Sequence, residues 1–148
     1  MLIEKDFVAF GHQFRMRLGH GVKNATEEKD FCPVFIQFLD CVYQMIHQFP
    51  TLFEFNVQFL IDIAYHAFSL KFGTFIGNCE KERTELKVRQ KTYSLWTELN
   101  INRTKYLNTL YNPNSPLVDK KKFYPETILM RMKFWEEFYV RWTLPPQK

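Results

Sequence analysis

The chain has 148 residues, enough for one domain with a sizeable core, and 46% of them are hydrophobic, which excludes disorder as the default state. Its formal charge of +4, from 20 basic and 16 acidic residues, favours an anionic surface such as phosphate-bearing lipid but lacks the dense basic stripe of a nucleic-acid binder. Three widely spaced cysteines, Cys32, Cys41 and Cys79, exclude a zinc site built on cysteine pairs and argue against a disulfide scaffold, so a reducing compartment is expected.

Sixteen Phe, seven Tyr and three Trp are a heavy aromatic load, and each ring can bury roughly 150–250 Å². So many rings imply either a thick Phe-rich core or a partner surface. The N-terminus shows no apolar run of signal-peptide length, and no window of membrane-spanning length is uncharged and apolar. Without a secretory signal, the triplets Asn24-Ala25-Thr26 and Asn102-Arg103-Thr104 read as chance glycosylation matches.

Residues 2–10 form a short amphipathic stretch, with Leu2, Ile3, Phe7 and Phe10 near helical spacing and Gly11 as the stop. Residues 11–31 read as a long irregular segment punctuated by Gly11, Gly19 and Gly21, then a polar run from Lys23 to Asp30. The clearest helix follows Pro33. Phe35, Phe38, Leu39, Val42, Ile46 and Phe49 repeat at three and four residues, Val34, Cys41 and Met45 add a second apolar strip, and Pro50 ends it. Two-sided burial is expected there.

A second helix starts at Asn56, a good N-cap, and carries Val57, Leu60, Ile61, Ala64 and Phe68 on one face. Residues 79–91 mix acidic and basic side chains and read as a solvated helix face, with a membrane- or partner-facing patch as the alternative. Tyr93-Ser94-Leu95-Trp96 opens a short apolar element. A loop over 112–125 contains Asn112-Pro113, Ser115-Pro116 and Asp119-Lys120-Lys121-Lys122. A last helix is expected from about Thr127 to Trp142, with Leu129, Met132, Trp135, Phe138, Tyr139 and Trp142 at helical spacing, before Pro145-Pro146. No strand pattern longer than four residues is evident, so the fold class is mainly α.

No complete catalytic site is present. A cysteine phosphatase needs Cys followed six positions later by Arg, because the intervening loop wraps backbone N–H groups around phosphate while the Arg clamps its oxygens. Cys32 is followed at that spacing by Phe38, Cys41 by His47 and Cys79 by Glu85. Nucleotide loops, serine elbows and His-Glu-x-x-His motifs are absent too. Asp62 and His66, four apart, read as a structural pair rather than a metal site. No metal or cofactor is expected.

One constellation carries chemistry: Gly11-His12-Gln13-Phe14-Arg15-Met16-Arg17-Leu18-Gly19-His20-Gly21. Arginine forks match phosphate oxygens bidentately, and glycines let backbone approach a ligand. A basic loop that pairs with nearby carboxylates fits the same residues.

In order along the chain, Ile3-Glu4-Lys5-Asp6, Phe10-Gly11-His12, Gly19-His20-Gly21, Pro33-Val34-Phe35-Ile36-Gln37-Phe38, Gln48-Phe49-Pro50, Phe72-Gly73-Thr74-Phe75, Thr92-Tyr93-Ser94-Leu95-Trp96 and Tyr139-Val140-Arg141-Trp142 resemble the myotubularin family of phosphoinositide phosphatases. The resemblance covers nearly the whole chain. It implies residues 1–148 as the C-terminal helical portion of a cysteine-phosphatase-like α/β domain, with the central sheet and the catalytic loop lying upstream of the matched region. It also implies removal of the 3-phosphate from phosphatidylinositol 3-phosphate and the 3,5-bisphosphate by an attacking thiolate, although this chain alone would be inactive. The implied partners are a phosphoinositide head group, a membrane surface and another myotubularin-like chain, with no nucleic acid. The implied location is cytoplasmic, peripheral to endosomal membranes.

By the same resemblance, two basic positions of the family contact inositol phosphates. The second falls on Arg17 and the first on Gln13, a departure that removes a charge. Cys32 departs too, where the family usually has a capping Ser. The alternatives are a non-catalytic, pseudophosphatase-like adaptor and an unrelated helical module. If a central sheet is missing, an exposed apolar patch is expected on the Phe35 or Val34 strip.

Overall fold

A computed structural model describes residues 2–21, 30–116 and 124–141. Its elements are the π-helical α1 (Ile3–Ala9), α2 (Phe14–Arg17), α3 (Val34–Gln48), α4 (Val57–Ser69), α5 (Glu80–Glu85), α6 (Val88–Lys91), α7 (Leu95–Ile101) and α8 (Glu136–Tyr139). Short 3-10 turns occupy Pro50–Leu52, Gly73–Phe75, Arg103–Tyr106 and Leu129–Arg131. Among the described residues the sole β pairing is an isolated antiparallel bridge, Phe55 to Leu107, so the chain is mainly α as expected. No described helix is long and apolar enough to cross a membrane. Asn24–Thr26, Asp119–Lys122, Trp142 and Pro145-Pro146 lie outside the described residues.

The chain divides into two compact units, Met1–Ile36 with Asp62–Arg103, and Gln37–Ile61 with Thr104–Lys148. The first unit is built on an aromatic cluster. Phe14, Phe35 and Phe75 have almost no solvent contact, and their ring centroids lie 4.9–5.3 Å apart, with Phe7 5.1 Å from Phe35. Edge-on and tilted pairs of this kind add roughly 0.5–1.5 kcal/mol each beyond area burial.

The π-helical hydrogen bonds of α1 widen the same-face spacing to four and five residues, so Ile3 and Val8 are buried and Phe7 half-buried. An α-helical spacing would have put Leu2 and Phe10 on that face. Instead Leu2 is exposed and Phe10 is 87% exposed.

The Gly73–Phe75 turn is tied to the start of α7 by Gly73 N–H donating to Tyr93 O (3.0 Å) and Leu95 N–H donating to Thr74 Oγ1 (2.9 Å). Ser94 caps α7 by accepting from Trp96 N–H at 3.2 Å. The charged run 79–91 is mostly solvated, as expected, but Lys87 in the left-handed region (φ 54°) splits it into α5 and α6, and Arg83 and Val88 are buried.

In the second unit, the residues of α3 from Leu39 onward bury Leu39, Tyr43 and Ile46. Cys41, expected on a second buried strip, is exposed. Asn56 caps α4 as anticipated, its Oδ1 accepting from Phe59 N–H at 3.3 Å. Around the isolated bridge, Asn56 N–H donates to Tyr106 O and Asn108 N–H to Glu54 O, each at 2.9 Å. The Asn108 side-chain amide donates to Pro50 O and Phe53 O at 2.7 and 2.8 Å.

The helix expected over residues 127–142 is contradicted: only Glu136–Tyr139 is α-helical, preceded by extended backbone and one 3-10 turn. Two glutamines one turn apart on α3 explain why. Gln48 accepts from Glu126 N–H (2.7 Å) and donates to Glu126 O (3.1 Å), while Gln44 accepts from Lys133 N–H (3.0 Å) and donates to Lys133 O (2.7 Å). Both peptide groups of each clamped residue are thus satisfied by side chains, and the local helical pattern is overridden. Trp135 anchors the segment, fully buried and stacked on Tyr43 at 5.0 Å.

The extended segment leaves Ile128, Leu129, Met130 and Phe134 exposed. Large exposed apolar side chains lie here and also on the Val34 side of the strip predicted from sequence: Phe35 is fully buried, but Val34 is exposed, as is Cys41 on the same strip. Trp135→Ala is expected to destabilise the protein by about 3–5 kcal/mol in urea denaturation. Gln44→Ala should cost less, about 0.5–1.5 kcal/mol, because the Lys133 N–H and C=O it frees are exposed to water.

Candidate functional site

The Gly11–Gly21 segment lies wholly in the first unit. It enters α2 through two features. Gly11 takes a left-handed φ of 85°, and the Phe14 ring plugs into the aromatic cluster. Arg17 N–H donates to Gln13 O at 2.8 Å, so α2 has true i to i−4 geometry over its single turn. That bond sets Gln13, the N-cap with non-helical ψ of 67°, one turn from Arg17, the other residue singled out from sequence. Gln13 is exposed and Arg17 half-buried.

Arg15 takes another course. Its Nη1 donates to Glu82 Oε1 at 2.7 Å. The other Glu82 oxygen accepts from Asn78 N–H at 2.8 Å, and Asn78 Oδ1 accepts from Met16 N–H at 3.0 Å. This chain of bonds fastens α2 to the start of α5. The Arg15 hydrogen bond and the Asn78 backbone donor hold the Glu82 carboxyl below its usual range. Arg15 is thus a structural cation. Glu82 was not apparent from sequence, because it belongs to a run of mixed charge whose periodicity does not single it out.

Arg17 donates from Nη1 to Asp30 O at 3.0 Å, which engages one of its five donors. It also lines an apolar hollow of about 220 Å³ together with Leu18, Phe31, Cys32, Pro33, Ile36 and Phe68. Phe68, expected on a buried helix face, is half-exposed beside it. Gly19 (φ 70°) keeps Phe31 close: a Cβ there would sit 2.6 Å from the Phe31 ring. A cation bordering an apolar hollow can hold an amphiphile, with its phosphate on the guanidinium and apolar parts against the rings.

His12 packs against Phe7 and Phe14 at 5.4 and 4.7 Å. Burial, and then the charge of Arg17, lowers its pKa from the ordinary 6.5. Its Nε2 is buried without a hydrogen-bond partner among the described residues. The Nε2 of His20 lies 2.7 Å from Ala67 O, and burial lowers its pKa despite that bond. Among the described residues no three His, Cys, Asp or Glu side chains cluster as a metal site. Cys32, Cys41 and Cys79 are free thiols.

A mainly α chain with a glycine-bounded basic turn beside an apolar hollow is the class of protein this geometry defines. Comparison with known proteins narrows it. Residues 1–84 match the family model described as "Myotubularin-like phosphatase domain". The chain is 44% identical over 142 residues to "Myotubularin" of Xenopus tropicalis, covering 96% of the chain and 23% of that protein. It is 45% identical over 150 aligned positions to "Phosphatidylinositol-3,5-bisphosphate 3-phosphatase MTMR6" of Rattus norvegicus, and 43% to the MTMR2 protein of the same description from Mus musculus, covering all of the chain and 22% and 23% of those proteins. The chain belongs to the myotubularin family. It spans less than a quarter of the length of these relatives.

Three histidines, His12, His20 and the likewise buried His47, titrate below the ordinary value in the folded chain. The unfolded chain then binds more protons as pH falls below 6.5, so their contribution is complete above that pH and is lost as pH drops through the folded values. The urea midpoint is expected to fall between pH 7.5 and 5, and to fall less in His12→Phe. The loss linked to Glu82 belongs to a lower window, below its ordinary 4.5. Gly19→Ala should destabilise more than Gly11→Ala by thermal unfolding. Both incur about 1–2 kcal/mol of left-handed strain, but only the first also displaces Phe31, and no heavy atom lies within 4 Å of a Gly11 Cβ.

Proposed function

We propose that this chain is the helical, headgroup-contacting part of a myotubularin-like phosphatase domain acting on phosphatidylinositol 3-phosphate and 3,5-bisphosphate, peripheral to endosomal membranes. The observation that carries the reading is Arg17, one turn from Gln13 and bordering an apolar hollow. The relatives named as 3-phosphatases of phosphatidylinositol 3,5-bisphosphate support the substrate class. In this reading Arg17 holds an inositol phosphate by charge-assisted hydrogen bonds, and Gln13 adds a neutral donor. Residues 1–148 act within a single phosphatase domain, whose nucleophile must come from outside them, because none of the three cysteines has an arginine six positions on.

A second reading, a non-catalytic adaptor that binds phosphoinositide or another myotubularin-like chain, draws on Gln13. An exposed neutral amide sits where the family resemblance carries a base, which weakens phosphate grip without removing it.

A chimera tests both. Replace the matching segment of the rat MTMR6 relative with this chain and measure phosphate release from phosphatidylinositol 3,5-bisphosphate. The expected result is release, lowered about tenfold or more by Arg17→Ala, the cost of one charge-assisted contact, and raised by Gln13→Arg. A folded chimera that binds phosphoinositide vesicles without releasing phosphate would replace the catalytic reading with the adaptor one. Neither release nor binding would remove both.

A further inference from the structure

A cavity of about 250 Å³ opens in the first unit, lined among others by Glu4, Thr74, Arg83, Arg89, Tyr93 and Ser94. It shares no lining residue with the hollow at Arg17. Arg83 is 8% exposed, and its Nε is buried with no hydrogen-bond partner among the described residues. The nearby carboxylates are engaged elsewhere: Glu80 pairs with Arg89 at 2.9 Å, and Glu4 Oε2 accepts from the Trp96 indole at 2.7 Å. No described carboxylate lies within salt-bridge distance of Arg83. A buried guanidinium in that position is costly unless something supplies the missing acceptor.

The hydroxyls in the wall point the same way. Thr74 Oγ1 and Ser94 Oγ lie 3.4 Å apart, and each already accepts a backbone N–H, from Leu95 and Trp96 respectively. One hydroxyl can donate to the other, which leaves the second O–H as an unmatched donor. The cavity therefore offers a buried guanidinium, a spare hydroxyl donor and the long, exposed Arg89 side chain. Arg83 and Arg89 meet two carboxylates, Glu4 in the wall and Glu80, which pairs with Arg89, so Arg83 is the cation without a carboxylate within salt-bridge distance. The volume is smaller than the usual pocket for a drug-sized ligand, and suits one tetrahedral oxyanion.

We propose that this cavity is a second anion site, which takes a single phosphate group, free or esterified, on Arg83 and Arg89. A singly protonated phosphate donates its hydroxyl to Glu4 while its other oxygens accept from Arg83 Nε, the spare hydroxyl and Arg89.

The test is isothermal titration of the full chain with inorganic phosphate, against sodium chloride at matched ionic strength. Saturable phosphate binding is expected. Arg89→Ala should weaken it about tenfold without moving the urea midpoint, since the Arg89 side chain is 83% exposed. Glu4→Gln, which keeps an acceptor for Trp96, should tighten it. Arg83→Met should abolish it. If Arg83→Met fails to fold, Arg89→Ala and Glu4→Gln decide alone. Arg17→Ala should leave the titration unchanged, which separates this site from the headgroup contact proposed above.

Flotation with vesicles of phosphatidylcholine, with and without phosphatidylinositol 3-phosphate, distinguishes the sources in the Arg17→Ala background. Loss of residual phosphoinositide-dependent flotation on adding Arg89→Ala assigns a lipid phosphate, and no change assigns free phosphate. No saturable uptake by the parent chain, or Arg89→Ala and Glu4→Gln both titrating like it, would overturn the proposal.

Discussion

Phe14 is enclosed by Phe35 at 5.1 Å, Phe75 at 4.9 Å and His12 at 4.7 Å, and the placement of the Gly11–Gly21 segment follows from that enclosure. A four-residue helix cannot persist by its own hydrogen bonds, because nucleation is unfavourable and propagation has no length to offset it. Burial of one ring does what helix length cannot. With Phe14 fixed inward, the turn closes through Arg17 N–H to Gln13 O, and Arg15 reaches Glu82. The Arg15–Glu82–Asn78–Met16 chain of bonds then ties the same turn to α5. Apolar burial sets the position of the turn, and the polar chain sets its orientation.

A second theme is the use of side-chain amides where a sheet would use backbone. In the second unit Gln44 and Gln48 each clamp one peptide group of the extended 126–133 segment, and Asn56 and Asn108 supply donors to carbonyls around the lone Phe55–Leu107 bridge. Each amide carries a donor and an acceptor, so it can stand in for a neighbouring strand residue by residue. This solution fixes backbone without ordering a ladder. Its consequence is an extended segment whose outward side chains, Ile128, Leu129, Met130 and Phe134, remain in solvent. Asp40 adds a further tie, accepting from both Gln44 and the Tyr139 hydroxyl at 3.0 Å.

The charged run 79–91 illustrates how one composition supports several environments. Lys81 and Glu85 form an exposed i, i+4 pair of small energetic weight. Glu82 is half-buried and accepts two hydrogen bonds that anchor the candidate segment. Arg83 is buried and Arg89 exposed, and both line the same cavity. Burial lowers the pKa of Arg83, with the Glu80 and Glu4 charges opposing that shift. The left-handed residue Lys87 produces the break that lets α5 and α6 present different faces.

Sequence by itself determined the mainly helical class, the long helices at Val34–Gln48 and Val57–Ser69, the Asn56 cap and the family resemblance. Those features rest on local terms: apolar periodicity over three or more turns, proline and glycine punctuation, and short-range capping, all of which are written in neighbouring residues. Sequence also picked out Gln13 and Arg17 as a pair. That they stand one turn apart, tied by the Arg17 N–H to Gln13 O bond, is seen only in the structure, where the burial of Phe14 holds the turn. Leu129, Met132, Trp135 and Phe138 keep helical spacing, yet residues 126–135 are not α-helical, because the side chains of Gln44 and Gln48 compete for the backbone groups of Glu126 and Lys133. Arg83 and Arg89 are likewise indistinguishable by type or spacing, and only the packing of the first unit buried one and left the other exposed. Long-range contacts decide such cases, because the energy of a buried charge or a captured peptide group exceeds the few tenths of a kcal/mol per residue that local propensity supplies.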